Sequence, residues 1–322
     1  MRTSHNQTIK NPEVFKQQLL CWAQQFDDVV WLDSNDYKDQ YSNYDAVLAV
    51  DAFTSLQTDY IGAFERLKEY QKTTKDWIFG YLTYDLKNST EDLGSKNFDG
   101  LGFPDLYFFQ PKKLILIKGN IAEFQYLNMV DDEIESDLLA IEQSGNLNIQ
   151  ESKHPIKIKL RIHKDEYFEK VNTMLAHIRR GDIYEANFCQ EFYAENSVIN
   201  PVETYNRLNQ ISQPPFATFF KSFDKYLLSA SPERYIKKED DKVISQPIKG
   251  TAKRSENEKE DLLLAKNLAS DPKERSENIM IVDLVRNDLS HTATKGSVQV
   301  EELCKVYSCL LYTSPSPRDD IS

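Results

Sequence analysis

The sequence predicts an α+β fold, with strands and helices segregated along the chain. Three observations carry this. Strand-like runs dominate residues 29–127 and again 183–250, two helix signals follow each other directly after residue 254, and the order lacks a regular βαβ alternation. No period of about 20 to 50 residues recurs, which removes solenoids and propellers.

In the first half, Phe15, Leu19, Trp22 and Phe26 step by four, three and four, so 12–26 is expected to be a helix with one apolar face. "VVWLDS" (29–34) and "YDAVLAVDA" (44–52) read as strands between polar turns. A helix is expected at about 54–73, and "DWIFGYLTYDL" (76–86) reads as a strand rich in aromatic residues. After the polar loop "KNSTEDLGSKNFDGLG", the run "DLYFFQPKKLILIKGNIAEFQYL" reads as a strand, a turn and two further strands. From Asp131 to Pro155 the chain is acidic, polar and poor in aromatics, as in a surface helix followed by a connecting loop. This is a seam inside one fold, separating an N-terminal part (1–155) from a second part (156–308).

Beyond the seam, Phe168, Val171, Leu175 and Ile178 mark a helix expected to be buried on one side, which Gly181 is placed to end. "IYEANFCQEFYAE" (183–195) is expected as a strand, with Tyr184, Ala186, Phe188 and Phe192 on one face and Glu185, Asn187 and Cys189 on the other. "PFATFFKS", "YLLSASPERYIKK" and "KVISQPIKG" continue as strands joined by polar turns, which sets Lys249 at a strand end. Ser255 and Glu258 have capping-box spacing before a helix bearing Leu262, Leu263, Leu264 and Leu268. Asp271, Pro272 and Glu274 supply a cap, a first-turn proline and a reciprocal glutamate for a second helix. Behind them "NIMIVDLVRNDL" is apolar over more than half its circumference, as in a helix wedged between other elements.

Composition narrows the partners. A chain of 322 residues, 40% hydrophobic and 28% charged, can bury a sizeable core. A net charge of -12 disfavours non-specific binding to nucleic acid or anionic membrane, so a small anionic substrate needs a local exception to the field. Cys21, Cys189, Cys304 and Cys309 lie far apart without a CxxC pair, which fits reduced, buried thiols. The first residues lack the apolar core of a signal peptide, and no segment reaches the roughly 18 apolar residues of a membrane span. A cytoplasmic protein is expected.

Chemistry concentrates around "SQPIKGTAKR", where Lys249 stands between Pro247 and Gly250. A lysine nucleophile needs burial or neighbouring cations, and Lys253 and Arg254 follow closely; a solvated lysine at the end of a strand is the plainer reading. Glu274 and Glu277, three apart on a helix, present their carboxylates on one face and could bind a hard cation such as magnesium, although capping alone would account for Glu274. Glu233, beside Pro232 at the end of an apolar run, suits a proton donor if partly buried and a solvated turn residue if not.

Together, "GDIYEANFCQ", "SASPERYI", "QPIKGTAKR", "DPKERSENIMIVDLVRNDLS" and "KGSVQVEEL" resemble the chorismate-utilising enzymes, a family that includes aminodeoxychorismate synthase component I, anthranilate synthase component I and the isochorismate and salicylate synthases. "WIFGYLTYDL" and "FPDLYFF" resemble the same family more loosely, so the likeness spans most of 29–308. It implies a four-layer α/β/β/α sandwich of two large packed sheets, with the site in a cleft at one edge, incomplete at the C-terminus. The lysine of "PIKGT" resembles aminodeoxychorismate synthase, whereas anthranilate synthases usually carry alanine at the position of Lys249. Isochorismate and salicylate synthases carry a water-activating lysine at the position of Glu185, and aminating relatives more often carry glutamine there, so the role of Glu185 stays open.

The resemblance further implies that Lys249 attacks the ring of chorismate while Glu233 protonates the departing 4-hydroxyl, and that ammonia from a glutamine amidotransferase subunit then enters at carbon four. It places magnesium on Glu277 and, through water, on Glu274, and it gives Gly250 and Thr251 a substrate carboxylate to bind through a backbone N–H and a hydroxyl. Relatives continue with a further pair of magnesium-binding glutamates where this chain reads "CLLYTSPSPRDDIS"; 309–322 is expected to be a disordered, non-native tail on a truncated sequence. Anthranilate synthase component I and an inactive fragment, at most docking an amidotransferase, are the alternative readings.

Overall fold

The computed structural model describes residues 1–37, 40–145 and 156–307. The tail read at 309–322, Cys309 and the last ten residues of the acidic seam (146–155) lie outside the described residues. Among the described residues, contacts group 1–145 with 201–307 in one unit and 156–200 in another.

The larger unit begins with β1 (Arg2–Thr8), α1 (Pro12–Trp22), β2 (Asp28–Asp33) and β3 (Ala46–Thr58). Next come α2 (Ala63–Thr74), β4 (Phe79–Leu82), β5 (Leu106–Lys118), β6 (Ile121–Leu127) and α3 (Ile134–Gln143). The smaller unit holds β7 (Lys159–Leu160), α4 (Lys164–Arg180) and β8 (Phe192–Tyr193), with β7 paired to β8. The larger unit resumes with α5 (Pro201–Ser212), β9 (Phe216–Ser222), β10 (Lys225–Ser231), β11 (Arg234–Glu239), β12 (Lys242–Gln246), α6 (Glu258–Ser270) and α7 (Pro272–Ser290).

Eight strands form one antiparallel sheet in the order β1-β6-β5-β3-β2-β9-β10, with β4 also paired to β5. Both faces of its centre are buried, which is why β2 reads as an unbroken apolar run. Val29 and Trp31 point to the face covered by Leu19 and Trp22 of α1, Ile134 and Ile141 of α3, and Val202 and Tyr205 of α5. Val30 points the other way, into a cluster with Phe79, Tyr107, Phe109 and Phe220. The α+β class is therefore the observed one. Besides this large sheet the described strands pair only as two-stranded ribbons, β7 with β8 and β11 with β12, since none of those four has a second hydrogen-bonding neighbour among the described residues.

Several elements differ from the sequence reading. Residues 54–58 are strand, because β3 bends at a register shift between Ala52 and Thr54, with Asp51 at φ 61°, and pairing with β5 overrides the helical pattern. The run expected as a strand, a turn and two further strands holds two strands, because β5 continues through Pro111, whose missing N–H is tolerated opposite the bulge and between the stretches paired to β4 and β6. β1 is polar and lies at a sheet edge, so it carries no apolar signal, and α5 is a helix that the sequence reading lacks. Of the strand expected at 183–195 only Phe192 and Tyr193 form, paired with a two-residue partner. The cap of α6 is Asn257, which accepts from Lys259 and Glu260, and Ser255 instead bonds Glu260 and Asp261. α7 is not wedged: it has no buried residue, and Ile279 and Leu284 are exposed.

Other expectations hold in detail. Phe15, Leu19 and Trp22 are buried on the inner face of α1, whose cap, Asn11, the sequence reading did not single out. Gly181 ends α4 at φ 82°, a left-handed conformation that glycine adopts without a Cβ clash. Cys21, Cys189 and Cys304 are free thiols as expected, but none of the three is buried: Cys21 and Cys304 are half-buried and Cys189 is exposed. Among the described residues no helix is long and apolar enough to cross a membrane.

Candidate active site

The β11–β12 ribbon builds the site's first contact. Arg234 opposes Gln246, with Arg234 Nε donating to Gln246 Oε1 at 2.8 Å, so Glu233 and Pro247 follow as the residues just beyond the paired end. There the N–H of Ile248 donates to Glu233 Oε1 at 3.3 Å. The acid expected to donate a proton is thus tied to the backbone of the residue that precedes Lys249. Glu233 is exposed and Lys249 half-buried. Ser231 Oγ accepts the Glu233 N–H at 3.2 Å, closing a small turn around Pro232.

The second contact joins the lysine turn to α7. Gly250 has φ 77°, and Glu274 lies so close that a Cβ at residue 250 would meet Glu274 Oε2 at 2.7 Å. Glu274 reaches Gly250 because its expected capping task is filled otherwise. The Asp271 side chain accepts from the N–H groups of Lys273 and Glu274 at 2.9 and 3.0 Å, while the N–H of Asp271 donates to Leu268 of α6 at 3.3 Å. No donor of Asp271 is left for a reciprocal glutamate.

Glu277 follows one turn along α7, half-buried, with Lys273 Nζ at 3.7 Å from its Oε1. Two carboxylates at this spacing suit Mg2+, which keeps several waters and takes only one or two protein carboxylates alongside oxygen ligands from a substrate. Among the described residues no cluster of three or more His, Cys, Asp or Glu side chains converges on one point. Thr251 is exposed. Arg254 donates to both oxygens of Asp261 at 2.8 and 3.0 Å, which holds that carboxyl below its usual range. Glu185 belongs to the smaller unit and is half-buried.

The structure therefore brings Glu233, Ile248, Gly250 and Glu274 into one chain of contacts, with Lys249 carried between them. Two open hollows lie elsewhere in this unit, one of about 630 Å³ beside Leu262, Leu263 and Cys304 and one of about 550 Å³ beside Arg286 and Lys295; neither is lined by these residues. Sequence reasoning overlooked Ser231 and the Ile248 N–H as supports for Glu233. The serine two residues before the glutamate was the available signal, since Ser commonly bonds the backbone two residues on.

Residues 25–310 match the family model described as chorismate binding enzyme. The anthranilate synthase component I-like protein of Synechocystis is 32% identical over 233 residues, 71% of this chain and 47% of that protein. Aminodeoxychorismate synthase component 1 of Salmonella typhimurium is 41% identical over 138 residues, 43% of this chain and 30% of that protein. The chain thus spans about half, or less, of the length of these relatives. Among solved structures, anthranilate synthase component I from Streptococcus pneumoniae superposes with a TM-score of 0.62 at 20% identity, covering 80% of this chain and 65% of that one. The menaquinone-specific isochorismate synthase of Escherichia coli gives a TM-score of 0.59 at 13% identity over 90% of this chain and 64% of that one. At such identities these two likenesses are of fold.

Proposed function

The chain belongs to the chorismate-binding enzyme family, and from that premise we propose that it aminates chorismate at carbon four, giving 4-amino-4-deoxychorismate. The observation that carries this reading is the seating of Lys249 between a carboxylic acid bonded at Ile248 and a carboxylate packed on Gly250. An amine nucleophile, an acid and an anion-facing metal site are the groups that such a substitution needs.

In this scheme the neutral amine of Lys249 forms a bond to the ring carbon next to the one bearing the carboxylate. Both conjugated ring double bonds shift towards carbon four, and the 4-hydroxyl departs as water with a proton from Glu233. Ammonia then bonds to carbon four and returns a proton to Glu233, both double bonds shift back, and the lysine nitrogen leaves as the amine. The Ile248 N–H occupies one oxygen of Glu233 and fixes its direction. Gly250 and Thr251 contribute a backbone N–H and a hydroxyl to a substrate carboxylate. Glu274 and Glu277 would hold Mg2+, which supplies charge for a substrate carboxylate and withdraws electron density from the ring.

The ammonia source is a glutamine amidotransferase subunit, a partner supported by the relatives being named as component I of their synthases. The test is to supply chorismate, Mg2+ and ammonium to the chain and separate the products. 4-Amino-4-deoxychorismate is the expected product; unconsumed chorismate would reject the catalytic reading in favour of an inactive fragment. Fluorescent anthranilate would establish the second reading, anthranilate synthase component I, which the broader coverage of the Synechocystis relative favours.

A further inference from the structure

We infer that Gly250 is a positioning residue for Glu274: the missing side chain at the lysine turn is what lets the first-turn carboxylate of α7 lie against that turn, at the place where it would hold Mg2+. The inference rests on the reading of Glu274 as a metal-holding carboxylate. A Cβ on residue 250 would stand 2.7 Å from Glu274 Oε2, 3.3 Å from its Cβ and 3.5 Å from its Cδ. The carboxyl group therefore packs on the Gly250 Cα, and any larger residue must push it, or the helix end, away.

The left-handed φ of 77° by itself favours glycine, as φ 82° does at Gly181, where nothing lies within 4 Å of a built Cβ; at residue 250 the close approach of Glu274 is a second, separate constraint. A role as backbone donor would be served by any residue except proline. Only direct packing ties residue 250 to the length and direction of one glutamate side chain. Because Asp271 satisfies its cap without help from Glu274, the glutamate side chain is not drawn back to the helix start and is left to lie against Gly250.

The test is a cycle of Gly250→Ala, Glu274→Ala and the double variant, read by urea unfolding without metal. The Gly250→Ala loss in urea midpoint is expected to be clearly smaller when Glu274 is already alanine; an equal loss in both backgrounds overturns the contact. Should Gly250→Ala not fold, the cycle is run with Gly250→Asn, a residue that tolerates a left-handed φ but carries a Cβ, and an equal loss in both backgrounds again overturns the contact. A second arm titrates Mg2+ in the presence of chorismate. Gly250→Ala is expected to weaken binding roughly ten- to a hundredfold, and Gly250→Ala with Glu274→Asp to recover most of it, because the shorter side chain withdraws from the added methyl. No recovery overturns the positioning role. Equal Mg2+ binding by the unsubstituted chain and by Glu274→Gln, with coupling intact in the unfolding cycle, overturns the metal reading and not the contact.

Discussion

At the scale of single residues, the proposed chemistry rests on an amine and an acid that differ in how the fold treats them, Lys249 half-buried and Glu233 exposed. Lys249→Ala removes the nucleophile from a half-buried turn while leaving the backbone that bonds Glu233, so product formation should be lost with the circular dichroism spectrum unchanged. Full activity of that variant would exclude a covalent role. Glu233→Gln keeps an oxygen for the Ile248 N–H but cannot give up a proton, so kcat should fall by about 10²- to 10⁴-fold with little change in stability. The lysine, the acid and the helical glutamates were legible as residue types at motif spacings. Which task Glu274 performs was not, because a capping glutamate and a carboxylate packed on a neighbouring turn have the same sequence; the backbone bond from Asp271 to Leu268 decides it.

Among elements, the start of α7 matters most, since its first turn carries Glu274. Asp271→Ala strips the acceptor from two N–H groups and should lower stability by about 1 kcal/mol in urea unfolding. A change within error would mean that water replaces the cap at no cost. α1 was readable from spacing alone because burial of Phe15, Leu19 and Trp22 on one side imposes the pattern. α4, expected to be buried on one side, keeps the spacing with that face only half-buried and no residue fully buried. Residues 54–58 and 183–195 were not readable, for opposite reasons. The former become strand only through their pairing with 106–110 of β5, while the alternating residues of the latter meet a partner strand at just Phe192 and Tyr193. Nothing local in either stretch records its neighbour.

For the molecule as a whole, the large sheet is fastened at its β1 edge by Arg2, whose Nε donates to both oxygens of Asp76 at 2.9 and 3.0 Å and whose other nitrogens donate to Pro111 and Gln125 carbonyls. Burial pushes the Asp76 carboxyl up, but hydrogen bonds from Arg2 and from Gln110 outweigh it and hold the carboxyl below 3.8. A carboxyl depressed in the folded state stabilises above its unfolded value, and the contribution is lost as pH falls through the folded value. Asp76→Asn should therefore lower the urea midpoint at about pH 7, with the gap to the unsubstituted protein narrowing as pH drops below 3.8. A gap that stays constant on acidification would exclude the ion pair as its cause. In the core, Phe219→Ala empties a fully buried site and should cost about 3–5 kcal/mol. That phenylalanine belongs to β9, the strand bonded to β2 across the seam; Ser222 of β9 donates to Asp28 from 194 residues away in sequence. During synthesis the ribosome delivers β2 long before β9, so the nascent chain carries a bare apolar flank until translation passes Ser222, and in that interval it depends on chaperones or on slow collapse to escape sticking to its neighbours.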